Sequence, residues 1–407
     1  MRAYVARVAV AAALLPAGAG AQTVSLTEPQ ALARLSSESP RVQAAQAGVD
    51  VARADVLAAG RWPNPTVVFN REAVAGVTEH IVMVSQRLPI TGRRALDVSA
   101  ASALLDASGS RANERIRRLR AELRLAFTDL ATAQVREEEL ARSRDRLSTL
   151  AQVLARRESE GDAAGFDRLR AEREVIDVEA DRASVAAERA RAQAVLASFF
   201  PGPLEGTAIV VVPTARTPAP LPPVEALMAR AERTHGELLA LGHELDAAAW
   251  HERAAARRLW PEPEVVAGTK SSNALGGDVG SLVSVHVTVP LFDRSRPERA
   301  AAQARAGQAR AEAEALRQTL RAQIVAWRAA VVERRDIAAR YRTAVAAGAD
   351  EIARIAQVSY EAGEQGILDL LDAHRIAAAA RLRQAALDAS VREAEIELEF
   401  VSGWEMP

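Results

Sequence analysis

The sequence predicts a mainly α-helical protein with a small β part, built from two copies of one structural unit. Ala and Arg are abundant and aromatic residues make up 4% of the 407 residues, a composition that favours long helices over one large globular core. Glycines interrupt long helical patterns at Gly161 and again, about 200 residues later, at Gly363. A Trp-Pro-Xaa-Pro motif also occurs twice, beginning at Trp62 and at Trp260. A period of about 200 residues indicates a duplicated unit and not a solenoid.

Residues 1–21 have the pattern of a secretory signal peptide. Arg2 and Arg7 precede an apolar run at residues 8–15, and Ala19-Gly20-Ala21 supplies small residues for cleavage after Ala21. The alternative is a membrane anchor, but the run is shorter than the ~20 apolar residues of a spanning helix. The absence of cysteine excludes disulfides and lipid attachment through an N-terminal Cys. A formal charge of -1 gives no indication of a nucleic-acid partner.

Residues 22–200 form the first predicted repeat. Its first segment, residues 26–61, is helical, with Thr27 as N-cap and Pro40 dividing a short helix from a longer one. The helix must end at Trp62-Pro63-Asn64-Pro65, because each proline removes a backbone donor. Two short strands are predicted next, at residues 66–70 and 80–88.

Residues 224–403 repeat this order. A helical stretch at residues 224–259 ends at Trp260-Pro261-Glu262-Pro263, and strands follow at residues 264–269 and 282–289 around a Gly-rich tip at residues 276–280. In the last strand Val283, Val285 and Val287 alternate with Ser284 and His286. This period of two predicts one apolar and one mainly polar face.

Each strand pair leads into a long helix, at residues 94–160 and 297–361, then a Gly turn and a shorter helix, at residues 166–198 and 367–400. In the first long helix a coiled-coil seam is predicted by apolar residues spaced three and four apart: Leu119, Leu123, Ala126, Leu130, Ala133, Leu140, Leu147, Ala151 and Leu154. The long helices span ~100 Å and the short ones ~50 Å. Two short helices stacked end to end therefore match one long helix, with the strands at one end and the Gly turns at the other. A connector at residues 201–223 separates the repeats, and residues 404–407 form a C-terminal tail.

This arrangement of helices and strands resembles the TolC family of outer-membrane efflux channels, and the resemblance covers nearly the whole mature chain. Short motifs carry it most specifically. Tyr360-Glu361-Ala362-Gly363, followed by Leu368-Asp369-Leu370-Leu371-Asp372-Ala373, is similar to the family's periplasmic tip and constriction. Residues 86–94 and 289–294, which close the strands, look most like the branch that serves cobalt-zinc-cadmium and other heavy-metal exporters. The resemblance implies a homotrimer in which four strands per chain build one 12-stranded β-barrel and the helices build a periplasmic α-barrel. It also implies three partners: a periplasmic adaptor (membrane fusion) protein, an inner-membrane resistance-nodulation-division type pump, and outer membrane lipid.

Physical reasoning agrees with the trimer. Four strands alone would leave two unpaired edges in lipid, whereas closure across three chains removes every edge. The strands are also near the ~10 residues that cross a bilayer at a tilt.

Four glycines mark the helical turns: Gly161, Gly165, Gly363 and Gly366. They are either plain connectors or, as the resemblance implies, a surface on which the adaptor docks. Asp369 and Asp372 are three residues apart and lie on one helix face. That face is either an ordinary solvated one or, by resemblance, an acidic ring that constricts the pore. The resemblance would further place Tyr360 to hydrogen-bond Asp167 and hold the tip shut.

Trp62 and Trp260 stand at the two helix-to-strand junctions, where they are either core aromatics or a membrane-interface belt. No metal site is expected, because His235, His243 and His251 are eight residues apart and do not make the i,i+4 pair of a zinc site. No phosphate loop, nucleophile elbow or HExxH motif occurs, so neither a cofactor nor an enzymatic activity is expected.

Two classes of function remain open at the level of sequence. The first is a passive export duct in the outer membrane with a long periplasmic portion. The resemblance to the heavy-metal branch implies that its substrate is heavy-metal cations. The second is a periplasmic adaptor or coiled-coil scaffold without a channel. The duplicated strand pairs and long helices favour the duct, because an adaptor usually has one hairpin and larger β-domains.

Overall fold

The computed structural model describes residues 23–160, 165–201, 208–214 and 219–405. The predicted signal peptide and Gly161 lie outside these residues. The fold combines long helices with one four-stranded sheet and one two-stranded sheet.

The first repeat contains a short strand, two short helices, a strand pair and a helical hairpin. In chain order its elements are β1 (Thr23–Leu26), α1 (Glu28–Arg34), α2 (Pro40–Ala59), β2 (Thr66–Val74), β3 (Val77–Arg87), α3 (Arg93–Glu160) and α4 (Gly165–Ala197). Thr27 caps α1 in a capping box with Gln30, as the sequence predicts for the N-cap.

The second repeat has the same order. Its elements, after the linking strand β4 (Ala208–Val211), are α5 (Val224–Thr234), α6 (Gly236–Arg257), β5 (Pro263–Ser272), β6 (Asp278–Val287), α7 (Arg296–Tyr341), α8 (Ala347–Glu361) and α9 (Ile367–Ser402). A π-helical segment, Arg342–Ala346, joins α7 to α8, and the backbone stays helical on both sides of it.

The four-stranded sheet is antiparallel, in the order β2-β3-β5-β6. The two repeats meet at its centre, where β3 pairs with β5 from Glu79↔Ser272 to Arg87↔Glu264. The outer edges of β2 and β6 have no strand partner within the part of the chain that the structure describes. The smaller sheet pairs β1 with β4 in parallel and ties the connector to the start of the chain.

Short helices stack end to end beside the long helix α3, as the lengths predict. The start of α2 meets the end of α4, where Arg41 donates to Ser198 Oγ at 2.8 Å and Ser39 donates to the Phe199 carbonyl at 3.1 Å. Near the sheet, Arg94 at the start of α3 donates to the carbonyl of Gly60 beyond the end of α2. All nine residues of the predicted seam of α3 are buried. Helix periodicity alone was enough to predict which face of α3 packs.

The structure corrects several predicted boundaries. The first helical segment does not begin at residue 26, because Leu26 ends strand β1 and α1 begins at Glu28. Residues 224–259 are not one helix: the chain leaves helical geometry at His235, whose φ and ψ are -74° and 113°. Gly165 is not a turn residue but opens α4.

The four strands of the antiparallel sheet are longer than predicted. The β2–β3 turn comprises only Ala75 and Gly76, and both have positive φ. In the second hairpin the turn ends at Gly277, and residues 278–280 pair with β5 instead of forming a Gly-rich tip. The sequence did not indicate these strand ends, because charged residues such as Glu79 and Lys270 are more typical of loops. Among the described residues, no helix is both long and apolar enough to cross a membrane.

Candidate functional site

One face of the four-stranded sheet is apolar and open. Register places Val67, Val84, Ala267 and Val283 in one row across the four strands, with their side chains on the same face. Val67 is 67% exposed and Val283 is 75% exposed. An apolar face of this kind is costly in water, so it requires lipid or another protein surface.

The opposite face of the sheet carries most of its charged residues, together with apolar ones. Lys270 of β5 forms an ion pair of 2.5 Å with Glu79 of β3. Near the hairpin turns a row of paired residues crosses the sheet in the order Glu72, Glu79, Ser272 and Asp278. A sheet with one apolar face and one face that carries charge suits a barrel wall between lipid and a water-filled lumen.

Trp62 and Trp260 lie at the opposite end of the sheet from the hairpin turns, at the junctions with α2 and α6. Their exposed fractions are 54% and 66%, so they are not core aromatics in the single chain. The guanidinium of Arg94 lies 5.4 Å from the ring centroid of Trp62. An exposed indole beside a cation is typical of a side chain at a membrane surface.

The helical tip lies at the far end of α3 and α7–α8, where the chain reverses direction. Gly363 has φ 76°, a left-handed conformation that favours glycine, and its N–H donates to the carbonyl of Tyr360. Gly366 is the N-cap of α9. In the first repeat Gly161 lies outside the described residues, and Gly165 begins α4.

A hydrophobic cluster fixes the four helices at the tip against one another. It joins α3, α4, α8 and α9 through buried side chains that include Leu147, Leu154, Ala171, Ala356, Leu370 and Leu371. Leu370 and Leu371 come directly between Asp369 and Asp372 in the sequence, so the same turn of α9 contributes both core and exposed acid.

Asp369 and Asp372 are exposed on the first two turns of α9. One oxygen of Asp369 accepts a hydrogen bond from the Gly366 N–H at 3.3 Å, so the residue also caps its own helix. The two carboxylates stand on the same helix face as predicted from their spacing. Their role in constricting a pore is a property of an assembly and stays a prediction.

Tyr360 and Asp167 are not hydrogen-bonded to each other within the described single chain. The ring of Tyr360 instead lies under the guanidinium of Arg157, 5.8 Å from the centroid, and packs against the tip cluster. Asp167 lies in the first turn of α4. The sequence did not indicate Arg157, because it contacts Tyr360 across two helices about 200 residues apart in the chain.

Beside Tyr360, α3, α8 and α9 enclose a groove of about 640 Å³ whose lining contains both arginines and carboxylates. Burial, together with the neighbouring charge of Arg381, lowers the pKa of Arg146. Burial and then the charge of Arg146 lower the pKa of His374, which keeps that imidazole neutral near pH 7. In the described part of the chain, no group of three or more His, Cys, Asp or Glu residues is arranged to hold a metal ion.

The comparison with protein families matches residues 227–403 to the family described as outer membrane efflux protein. The match covers most of the second repeat. No curated protein sequence gives a significant match to the chain.

The fold is also that of solved outer-membrane channels. A membrane protein of Pseudomonas aeruginosa superposes with a TM-score of 0.76 at 20% identity, over 92% of this chain and 90% of its own. The outer membrane protein VceC of Vibrio cholerae gives 0.72 at 16% identity, over 92% and 96% of the two chains. The open state of the MtrE outer membrane channel of Neisseria gonorrhoeae gives 0.72 at 17% identity, over 92% and 88%.

The second repeat is thus similar to the outer membrane efflux protein family, and the chain shares the fold of solved outer-membrane channels.

Proposed function

We propose that three copies of the chain close into one duct, through which substrate passes without any reaction on the protein. The observation that supports this most directly is the sheet, which has an apolar face and two free edges. An open edge in lipid leaves backbone donors and acceptors unsatisfied, and each costs several kcal/mol. Pairing β6 of one copy with β2 of the next removes all edges and gives 12 strands from three sheets of four.

The helical tip is the end of the molecule that faces the other components of the export system. It lies at the opposite end of the ~100 Å helices from the sheet, and therefore deep in the periplasm. We infer that a periplasmic adaptor docks on the turns around Gly161 and Gly363, where small side chains allow another helix to approach closely. A resistance-nodulation-division type pump in the inner membrane would supply the energy.

The proposed gate is the acidic turn of α9. Three copies would place three Asp369 and three Asp372 carboxylates around one axis, where like charges close together attract cations strongly. Tyr360 would help to hold the tip closed. Because it does not reach Asp167 within one protomer, the predicted bond between them is proposed for the assembled, closed trimer only.

Metal cations of the heavy-metal class are the proposed cargo. Two features support a cationic substrate: the acidic turn at the tip, and the row of Glu72, Glu79 and Asp278 near the hairpin turns. A duct need not bind its cargo tightly, so these charges would set selectivity and leave the choice of substrate to the pump and the adaptor.

The proposal is tested by recording single channels of the purified trimer in planar bilayers. Asp369→Asn with Asp372→Asn should lower the preference for cations over anions and weaken block by multivalent cations, because six negative charges leave the constriction. The matched control, Asp177→Asn with Asp181→Asn, removes the same charge from exposed positions on α4. Equal selectivity and block in all three channels would place the constriction elsewhere. A protein that forms no trimer and no channel would contradict the duct itself.

A further inference from the structure

Two basic residues lie on the apolar face of the four-stranded sheet, and the strand register pairs them directly. Arg71 of β2 stands opposite His80 of β3, and Ser271 of β5 comes next in the same row. The alternation of side chains places this row on the same face as Val67 and Val283. Three hydrogen-bond donors therefore stand side by side across three strands, on a face that is otherwise mainly apolar.

The charges of the sheet are sorted between its two faces. The four carboxylates of the strands all lie on the opposite face: Glu72, Glu79, Glu264 and Asp278. Lys270 lies there as well and pairs with Glu79. Neither Arg71 nor His80 has a carboxylate within ion-pair distance among the residues that the structure describes. The guanidinium of Arg71, which is exposed, is therefore left for a partner outside the chain.

The row of Arg71 and His80 marks one end of the apolar face. The other end is the row of Pro263 and Val287, and Pro263 is eight residues from Ser271 along β5. At ~3.4 Å per residue and a tilt of ~40°, eight residues span roughly 20 Å of height. The apolar band of outer-membrane barrels is ~25 Å tall, so this row lies at the outer boundary of the hydrocarbon in the proposed duct. An arginine on the lipid face is costly at the middle of a bilayer but tolerated near its surface.

The donors are bordered by apolar side chains. Phe69, one row closer to the middle of the band, stacks on His80 with the ring centroids 6.0 Å apart and the planes 27° apart. At the other end of the row, Val279 follows Ser271 and is 79% exposed. Donors at the membrane boundary, with apolar surface below them, match a molecule that has an anionic headgroup on acyl chains.

We propose that Arg71, His80 and Ser271 bind the phosphate of an anionic lipid in the outer leaflet of the outer membrane. The guanidinium donates two parallel N–H groups to the phosphate oxygens, and the imidazole and the hydroxyl each donate one more hydrogen bond. Neighbouring strands are ~4.8 Å apart, so the three donors span ~10 Å, which suits one phosphorylated headgroup. The acyl chains lie along Phe69. The inference rests on the proposed duct, since it requires the apolar face of the sheet to meet lipid.

The experiment titrates the purified, delipidated trimer with lipid A, a phosphorylated glycolipid of bacterial outer leaflets, or with lipid A whose phosphates have been removed. Native mass spectrometry counts the lipids that remain bound. The phosphorylated form should bind at least about 5-fold more tightly, which corresponds to ~1 kcal/mol for one arginine beside an anionic lipid.

Two double variants show whether the preference comes from this row. Arg71→Gln with His80→Phe should abolish it, because the donors to phosphate are lost while the phenyl ring keeps the contact with Phe69. The matched control is Arg87→Gln with His286→Phe, which removes the same residue types from the opposite face of the same sheet. That control should keep the full preference for the phosphorylated lipid.

Four outcomes would overturn the site. Equal binding of the two lipids would show that the row does not recognise phosphate. Equal loss of preference in both double variants would show a general effect of charge. Full competition by inorganic phosphate at constant ionic strength would show a site for free anions only. Loss of the trimer in Arg71→Gln with His80→Phe, but not in the control, would show that a second copy of the chain covers these residues.

Conductance separates this inference from the duct. In bilayers of neutral lipid the Arg71→Gln, His80→Phe trimer should conduct like the unmodified protein, because neither residue is placed in the gate. Normal conductance without lipid selectivity would contradict the lipid site alone. Absence of channels from the unmodified protein would contradict the duct.

Discussion

A buried group of paired charges around Arg124 joins three helices in the middle of the molecule. Arg124 of α3 lies between Glu28 of α1, at 2.7 Å, and Glu399 of α9, and the side chains are only 15%, 12% and 5% exposed. Burial works to lower the pKa of Arg124, but hydrogen bonds and charges from Glu399 and Glu28 raise it overall. The first and last helices of the chain are thus joined through this guanidinium and through Arg392 of α9, which also pairs with Glu28.

Removing this guanidinium should be costly. Arg124→Met leaves Glu399 as a buried carboxylate without its cation, and breaking a buried pair from one side typically costs about 3–5 kcal/mol. We expect a clear fall in the denaturant midpoint of the trimer. Arg136→Met is the matched control, because Arg136 pairs with Glu188 at the surface, where such pairs contribute about 0–1 kcal/mol. Equal midpoints for the two variants would show that the Arg124 pair does not stabilise the fold.

His235 stands at a break that the sequence did not indicate. It is 8% exposed, ends α5, and lies 3.7 Å from Glu114 of α3. Burial lowers the pKa of His235, although the charge of Glu114 opposes this effect. Its imidazole is therefore neutral near pH 7. No proline stands near His235, and the helical pattern of the sequence continues on both sides of it. The sequence therefore predicted one helix where the structure has two.

At the scale of the elements, α6 approaches α3 closely because its first residue is a glycine. A Cβ built on Gly236 would lie 2.3 Å from the carbonyl oxygen of Ser110 and 2.7 Å from the Cβ of Glu114. The Gly236 N–H also donates to Glu114 at 2.7 Å. Backbone contact of this kind leaves no room for any side chain.

The Gly236→Ala variant should therefore be less stable by about 1–3 kcal/mol, the usual cost of an extra methyl group in a packed contact. Gly242→Ala is the control in the same helix, because its Cβ would have nothing within 4 Å. That substitution should be neutral or stabilising by about 0.5–1 kcal/mol, since alanine favours helix over glycine. Thermal unfolding of the two variants measures the difference. A stable Gly236→Ala protein would mean that α3 and α6 separate without cost.

The order and bounds of many helices and strands could be predicted from the sequence, because their apolar residues recur at regular spacing. The structure gives α3 as Arg93–Glu160, within one residue of the predicted bounds, because one apolar seam repeats along its whole length. The strands were predicted too short, because charged residues on one face of the sheet, such as Glu79 and Lys270, resemble those of a loop. The site was predicted less completely. Residue spacing places Asp369 and Asp372 on one face, but only the folded chain brings Arg157 to Tyr360 and pairs Arg71 with His80.

At the scale of the whole molecule, the sheet fixes which end of the protein faces outward. The long helices leave from one end of the sheet, at Arg93 and Arg296, and the hairpin turns lie at the other end. In the proposed duct the helices occupy the periplasm, so we expect the turns to face the cell exterior. The same orientation places Arg71 and His80 near the outer surface of the membrane and the acidic turn of α9 at the far end of the tunnel.

A single cysteine tests this orientation, because the chain has none of its own. Asp278 begins β6 beside the second hairpin turn and is exposed, so Asp278→Cys should react with a membrane-impermeant maleimide on intact cells. Glu333→Cys, at an exposed position of α7, should react only after the outer membrane is permeabilised. Labelling would be measured on the heat-resistant trimer, so that unassembled chains do not contribute. Protection of the Asp278 site on intact cells, with labelling at position 333, would mean that the helices and not the hairpin turns face outward.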